Sequence, residues 1–254
     1  MISNNLLLRD YIAKHGDDRL ILGHRIAEWC GHAPILEEDI ALTNISLDLI
    51  GQASMLYKYA AEIDGTGINE DYFPYRRPER DFRNLLLVEQ PNEDFAFTIA
   101  RQFYFDVYDY YFLDELQNSK DANLSAIAVK SIKETKYHLR HSTQWMLRLG
   151  DGTEESHSRL TNSCEYLWMY TGEMFVNSPQ DLELISHGIA VDVANIKEKW
   201  LDSVMNIKRE AGINLPDPAA YMQKGGREGI HTENLGHILA EMQYLVRTYP
   251  DAKW

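Results

Sequence analysis

The stretch EWCGHAPILEEDIALTNISLDLIGQASMLYKYAAE, residues 28–62, decides the fold that we predict for this chain. Its second part predicts one long helix from Leu36 to Asp64, because apolar side chains recur there at helical spacing. Glycines then interrupt the pattern at Gly65-Thr66-Gly67, where we expect the helix to end. The apolar positions that carry this prediction are Ile40, Leu47, Ile50, Met55 and Tyr59. The stretch therefore indicates an inward-facing helix of a helical bundle.

Residues 48–52 of this helix lie where an inward-facing metal helix of a four-helix bundle carries a Glu-x-x-His motif. Residues three apart share one helix face, so a Glu and a His at that spacing reach the same metal pair. Here the face offers Leu49 and Gln52. Leucine has no lone pair, and a neutral amide is a poor substitute for imidazole on iron. The stretch predicts a bundle that keeps the shape of a metal site without its ligands.

Composition favours one acidic, soluble domain. A chain of 254 residues with 44% hydrophobic content can bury a single large core, so we predict one helical domain over residues 1–254. Its 25 basic and 39 acidic residues give a formal net charge of -14. Nucleic-acid binding needs clustered positive charge, so this balance argues against a nucleic-acid partner.

The sequence also predicts a cytoplasmic protein that does not enter a membrane. Cys30 and Cys164 are the two cysteines, and a chain of this size does not need disulfides for stability, so we expect both to be small buried hydrophobes. The first residues are too polar for a signal peptide. No stretch approaches the run of about 20 apolar residues that spans a bilayer.

Helical patterns fill the rest of the chain. Before the opening stretch we predict two helices separated at Gly16, with Asp17 or Asp18 capping the second and Glu28 in its last turn. Breaks are expected at Asn177-Ser178-Pro179 and Pro216-Asp217-Pro218. The predicted helices are residues 4–15, 18–30, 36–64, 80–89, 93–116, 124–149, 154–175, 193–211 and 232–248. No alternating strand pattern of useful length occurs, so we predict an all-α fold, a four-helix bundle with additional C-terminal helices.

Six long, gap-poor segments resemble one protein family and run through nearly the whole chain. They are AEWCGHAP (27–34), LDLIGQA (47–53), NLLLVEQPN (84–92), FAFTIARQF (95–103), IKETKYHLR (132–140) and GGREGIHTENLGHILAEMQYL (225–245). The chain resembles the structural, non-iron subunits of the bacterial phenylacetyl-CoA ring 1,2-epoxidases, which are multicomponent oxygenases of phenylacetate catabolism.

The resemblance implies a ferritin-like bundle that pairs with and stabilises a related catalytic subunit. That partner is expected to hold the di-iron centre, and through it this chain would meet the other components of the complex, including a reductase. Phenylacetyl-CoA is then the substrate of the complex. For this chain the resemblance implies no cofactor and no catalytic residue of its own.

Set against the di-iron pattern of that fold, the chain shows six vestigial ligand positions: Glu28, Leu49, Gln52, Asp106, Thr135 and His138. Three of the six ligands are replaced, at Leu49, Gln52 and Thr135. We expect the survivors, Glu28, Asp106 and His138, to form a hydrogen-bonded polar cluster on facing helices. The alternative is a metal-binding ferritin-like oxygenase with an unorthodox site that adds Glu134.

Two basic segments have open roles. The group Arg76, Arg77 and Arg80 is predicted to be a solvated loop with salt bridges to the acidic body, or else a contact for an anionic ligand or a partner. Residues 224–229 are expected to form a flexible connector, although their glycines and basic residues could approach a CoA phosphate.

Two further binding hypotheses are weaker. Glu233, His237 and Glu241 line one helix face near His231, so a zinc site is conceivable, but Glu/His pairs at this spacing are common on solvated faces. The aromatic residues of segment 95–112 could surround a small ligand, and ordinary core packing explains them equally well.

Overall fold

The computed structural model describes residues 2–214, 216, 217 and 220–252, with side chains from residue 5 onward. Every regular element in these residues is helical, so the predicted all-α class, consistent with a ferritin-like helical bundle, is confirmed. The α-helices are α1 (Ile2–Ala27), α2 (Leu36–Asp64), α3 (Tyr72–Tyr75), α4 (Leu86–Glu89), α5 (Phe95–Leu116), α6 (Ala122–Gly150), α7 (Glu154–Trp168), α8 (Pro179–Ser186), α9 (Lys197–Glu210) and α10 (Glu233–Thr248). Short 3-10 turns lie at Glu79–Asp81, Gly172–Phe175, Val193–Ile196 and Gly226–Glu228.

The helices divide into two compact units. The first unit comprises residues 1–91 and 225–254, and the second comprises residues 92–224. The first therefore contains α1 to α4 and α10, and the second contains α5 to α9. The single domain that the sequence predicts stays a prediction.

In the first unit α1 and α2 form an antiparallel hairpin. Gly16 lies against Tyr57 and Gly23 against Ile50, so residue numbers fall along α2 as they rise along α1. A Cβ atom at Gly16 would lie 2.6 Å from a Tyr57 ring carbon, and glycine therefore permits the close approach. The helix break predicted at Gly16 is wrong, because this glycine serves helix packing within one continuous helix.

The buried face of α2 differs in phase from the predicted one. Leu42, Leu49 and Leu56 are at most 4% exposed, whereas Ile40 and Leu47 are 54% and 62% exposed. Large apolar side chains occupy both faces of this helix, so periodicity alone does not determine which face meets α1. The consequence is a solvent-facing apolar surface on α2.

Asp17 is buried in the middle of α1 and caps no helix. Its carboxylate pairs with the Arg77 guanidinium, which contacts both oxygens. It also accepts a hydrogen bond from the Tyr57 hydroxyl at 2.7 Å. Because Arg77 is only 7% exposed, the prediction of a solvated loop is wrong at this residue, although the predicted salt bridge to an acidic group is present.

Asp18 is likewise buried, and it holds the segment that the sequence predicts to be a flexible connector. Arg227 donates to both carboxylate oxygens of Asp18, at 3.0 and 2.7 Å, and to the carbonyl of Arg83 at 2.6 Å. Such bidentate pairs fix geometry as well as charge. The connector prediction is therefore corrected, because Arg227 ties this segment to α1.

In the second unit α5 is buried over nearly its whole surface, as predicted for a central helix. Asp94 begins the helix by accepting a hydrogen bond from the backbone N–H three residues later, at 2.8 Å. α6 packs against it in the antiparallel direction, since Thr135 contacts Asp109 while Ser142 contacts Asp106.

Aromatic rings fill the interior of the second unit. Trp200 donates from Nε1 to the carbonyl of Tyr104 at 3.0 Å. Its ring centroid lies 5.7 Å from that of Trp168 and 5.2 Å from that of Phe175. Trp168 ends α7, and Phe175 belongs to a separate 3-10 turn, so the predicted helix over 154–175 is shorter in the structure.

Helix α8 was not predicted, because Ser178 and Pro179 were expected to break the chain. Ser178 instead caps this helix: its hydroxyl accepts from the backbone N–H of Asp181 at 3.1 Å, and the Asp181 carboxylate accepts from the backbone of Ser178 at 2.9 Å. Pro179 suits the first helical turn, where no backbone donor is needed. At the other predicted break, Pro216-Asp217-Pro218, Pro218 lies outside the described residues.

The two cysteines differ in their surroundings. Cys164 is buried as predicted, and burial raises the pKa of its thiol to about 12. Cys30 is exposed, which corrects the prediction, since α1 ends at Ala27 and Cys30 lies in the turn that follows.

Candidate functional site

Two of the six vestigial ligand positions lie on α2 in the first unit, where this helix is buried against α1. Leu49 and Gln52 are 1% and 0% exposed. Gln52 Oε1 accepts a hydrogen bond from Arg19 Nε at 3.1 Å, and Arg19 Nη1 also donates to the carbonyl of His15 at 2.9 Å. This face of the hairpin therefore holds a buried guanidinium bound to a neutral amide.

Glu28 lies apart from this pair. It follows the end of α1, its side chain is 46% exposed, and it accepts a hydrogen bond from Arg25 Nη1 at 2.8 Å. The α1 residue that meets Gln52 is Arg19, about two and a half helical turns earlier. Glu28 is therefore not a member of the buried polar cluster in which the sequence analysis places it.

Arg19 is the residue that sequence reasoning missed. An arginine guanidinium stays protonated in proteins, so it places a permanent positive charge beside Gln52. Arg19 is only 2% exposed, and like charges repel strongly where solvent is excluded. The guanidinium would therefore repel a metal cation at this position. The available signal was a charged residue directly before the apolar run Leu20-Ile21-Leu22, which must find a partner if the helix is buried.

In the second unit Asp106 is the centre of a buried polar cluster. It is 1% exposed, and its two oxygens accept hydrogen bonds from Gln102 Nε2 and Ser142 Oγ, each at 2.7 Å. Burial raises the pKa of Asp106 to about 7, while His138 and the two hydrogen bonds lower it in part. The group is therefore poised to exchange a proton near neutral pH.

Three further residues complete this buried surface of α5 and α6. Thr135, at a position where the di-iron pattern has a glutamate, donates a hydrogen bond to Asp109 Oδ2 at 2.9 Å. Asp109 lies one turn from Asp106 on α5 and was also missed, although acids three residues apart share a helix face. His138 is 1% exposed, and its electrostatic effect lowers the pKa of Asp106. The second unit thus brings together three of the sequence-predicted residues: Asp106, Thr135 and His138.

These residues do not fit a di-iron centre. Such a centre takes four carboxylates and two imidazoles from the bundle. The first unit has Leu49 and Gln52 where a glutamate and a histidine are needed, and the second has Thr135 where another glutamate is needed. We therefore assign no chemical step to a metal in this chain.

The structure gives no support to the predicted zinc site near His231 either. Throughout residues 2–214, 216, 217 and 220–252, no group of three or more His, Cys, Asp and Glu side chains is arranged to hold a metal ion. This covers the zinc hypothesis for Glu233, His237 and Glu241.

His231 belongs to a different buried contact in the first unit. Its Nδ1 lies 3.0 Å from Glu89 Oε2, and its Nε2 lies 3.0 Å from the carbonyl oxygen of Phe82. Burial lowers the pKa of His231, but the hydrogen bond and charge of Glu89 outweigh it, and the net pKa is raised. Since the carbonyl only accepts, the doubly protonated ring donates to both neighbours.

The aromatic segment 95–112 contributes to packing in the second unit. Tyr108 stacks on Phe112 with ring centroids 5.8 Å apart and meets Phe175 edge to face at 6.0 Å. These distances are those of ordinary core pairs. The geometry therefore gives the small-ligand hypothesis no support beyond core packing.

Among the helices of the described residues, none combines the length and the apolar character needed to cross a membrane.

Comparison with known proteins places the chain in a family. The family model described as "Phenylacetic acid catabolic protein" matches residues 3–254. The chain is also 47% identical over 247 residues to a protein of Escherichia coli (strain K12) that is named as a subunit of 1,2-phenylacetyl-CoA epoxidase, with 97% of this chain and 99% of that protein covered. The chain therefore belongs to the phenylacetic acid catabolic protein family.

Proposed function

We propose that this chain is a non-catalytic, structural subunit of a multicomponent phenylacetyl-CoA ring 1,2-epoxidase. In this role it pairs with a related subunit that carries the di-iron centre and stabilises that subunit's helices. The similarity to a protein named as a subunit of 1,2-phenylacetyl-CoA epoxidase, over nearly the full length of both chains, supports membership of such a complex.

The observation that carries the non-catalytic role is the buried contact between Arg19 and Gln52. A metal pair needs anionic and imidazole ligands, and this hairpin instead presents a fixed cation, an amide and the hydrocarbon of Leu49. An oxygenase that binds its own metal pair here would have to displace Arg19, because a fixed guanidinium charge in the interior repels metal cations.

The second unit supports the same role. The carboxylates of Asp106 and Asp109 accept hydrogen bonds from neutral side chains of this chain, which are Gln102, Ser142 and Thr135. Buried polar groups that are satisfied internally stabilise a fold without any ligand.

The pairing is supported by the outer face of α2. Leu36, Ile40 and Leu47 lie on this face and are 72%, 54% and 62% exposed, and Ile35 before the helix is 50% exposed. Contiguous apolar surface of this kind marks interaction sites, because it is removed from water when a partner covers it.

Co-purification from the native cell tests the proposal. Affinity isolation of this chain should bring down, in a fixed ratio, a related chain that contains iron, and the assembly should oxygenate phenylacetyl-CoA when a reductase is supplied. The isolated chain should show no such activity. An active, iron-loaded preparation of this chain alone would overturn the non-catalytic role.

Surface variants test the pairing. Replacing both Ile40 and Leu47 with arginine should weaken co-purification of the partner, whereas arginine at Val176, which is 64% exposed in a loop of the second unit, serves as the matched control. Undiminished recovery of the partner with the α2 double variant would remove this face from the interface.

A further inference from the structure

The first unit contains a pocket of about 270 Å³ beside α1. The charged side chains that line it are Arg9, Lys14, Arg77, Arg83, Asp10 and Asp81. Four positive groups against two negative ones make the lining cationic, although the chain as a whole carries a formal charge of -14. A locally positive concavity on an acidic protein concentrates anions.

Two of these cations already have carboxylate partners. Arg9 pairs with Asp10 and Asp64, each at 2.6 Å, and Arg77 pairs with Asp17 in the interior. Their charges are therefore largely balanced, and neither guanidinium is the main source of the positive character of the lining.

Arg83 differs from them. Its Nη1 donates to the carbonyl oxygens of Arg80 and Phe82. The backbone N–H of Arg83 donates to Asp17, but within the described residues the guanidinium contacts no carboxylate. Carbonyl oxygens orient the guanidinium without neutralising it, and its Nε and Nη2 edge can still form the paired hydrogen bonds that suit a phosphate. The side chain is half-buried, so its geometry is restricted by the fold.

Two aromatic rings adjoin these cations. Tyr72 and Phe73 both line the pocket, with their rings edge to face and their centroids 5.7 Å apart. Tyr72 is 38% exposed, so its ring is accessible to a ligand. Aromatic side chains next to positive charge suit a ligand with a planar ring and a phosphate.

We propose that this pocket binds a phosphorylated nucleoside, with the phosphate on Arg83 beside Lys14 and the base against Tyr72. The volume is slightly below the range of about 300–1,000 Å³ that is usual for sites that enclose drug-sized ligands. The pocket therefore holds a phosphate and the adjoining ring system of a larger molecule that extends into solvent. This inference does not depend on the proposed subunit role, because the pocket lies within the first unit of this chain alone.

Calorimetric titration of the full chain tests the pocket. AMP should bind saturably with one site per chain, and adenosine, which lacks the phosphate, should not bind. Inorganic phosphate and coenzyme A as separate titrants distinguish a free anion from a nucleotide as the source of the phosphate. Binding should weaken as salt rises, because added ions screen the cationic lining.

Arg83→Gln should weaken AMP binding about tenfold or more, since it removes a charge-assisted pair. Arg80→Gln is the matched control. It removes the same charge three residues earlier in the chain, but the Arg80 side chain is exposed and does not line the pocket. Thermal melting verifies that each variant folds. If Arg83→Gln does not fold, Lys14→Gln provides a second test of the same pocket. Absence of saturable AMP binding, or equal weakening by Arg80→Gln, would overturn the proposal.

Discussion

The two units of this chain bury carboxylates in opposite ways. In the first unit Asp17 and Asp18 are fully buried, and an arginine contacts both oxygens of each. In the second unit Asp106 is just as buried, but neutral side chains hold both of its oxygens. The same residue type at the same depth is thus an ion-pair partner in one unit and a proton-binding group in the other.

This difference shows what each buried acid does for the molecule. The ion pairs of the first unit connect α1 to loops that lie 60 and 209 residues away along the chain. Asp106 connects neighbouring helices only, and its pKa of about 7 shows that burial is not fully offset by its partners. The first arrangement fixes loop positions, and the second makes stability depend on pH.

Asp17→Ala should produce the largest effect. It leaves Arg77 buried without its carboxylate and removes the partner of the Tyr57 hydroxyl, and breaking a buried pair from one side costs about 3–5 kcal/mol. Urea denaturation measures the loss of unfolding free energy. Asp10→Ala is the control in the same helix, because its pair with Arg9 is exposed and should cost less than about 1 kcal/mol. Equal effects of the two variants would contradict the contrast.

Asp106→Asn should act through pH. Because the folded pKa of Asp106 is raised to about 7, the folded state binds more protons than the unfolded state between about pH 4 and pH 7, so stability falls as pH rises through this window. Asparagine fits the site: it can accept from Ser142 and donate to Gln102 Oε1, which has no hydrogen-bond partner in the described residues. The variant should therefore lose the slope and be more stable than the parent at pH 8.

Unfolding free energies measured at half-unit steps from pH 4 to pH 8 check this prediction. Ser142→Ala is the comparison variant, since it removes one hydrogen bond but keeps the titrating group. If Asp106→Asn and the parent chain show the same slope, Asp106 does not hold its proton in the folded state.

His231→Gln should have the smallest effect, of the order of one hydrogen bond or about 1 kcal/mol. The folded pKa of His231 is raised by Glu89, so its contribution is complete below the ordinary pKa of 6.5 and is lost as pH rises through the folded value. Glutamine donates to Glu89 or to the Phe82 carbonyl without titrating. The parent should thus exceed the variant in stability at pH 6 and approach it at pH 9, and a constant difference would count against the charged pair.

Much of the fold follows from local sequence signals. The helix α2 spans Leu36–Asp64 as predicted and ends at Gly65, whose φ of 70° favours glycine. The limits of α5, α6 and α10 lie within a few residues of the predictions, because caps and apolar patterns act over one or two turns. The Ser178-Pro179 signal for α8 is also local, but a serine followed by a proline is equally typical of a chain break.

The remaining features depend on partners that are distant in sequence. Gly16 resembles a helix end until Tyr57 is known to pack against it. Gln52 pairs with Arg19 and not with a residue near Glu28. This pairing follows from the register of α1 on α2, which local periodicity does not specify. That Leu49, Gln52 and Thr135 replace metal ligands stays a prediction, which rests on side-chain chemistry that is readable without a structure.

The central claim is that side chains of this chain, rather than a metal, occupy the vestigial ligand positions. Elemental analysis of the purified chain after incubation with ferrous iron under anaerobic conditions and gel filtration tests it most directly. We expect well below one iron, manganese or zinc per chain. A ligand that binds only the folded state raises the melting temperature, so ferrous iron should leave the melting temperature of this chain unchanged. One tightly bound metal per chain, together with a metal-dependent rise in melting temperature, would contradict the claim.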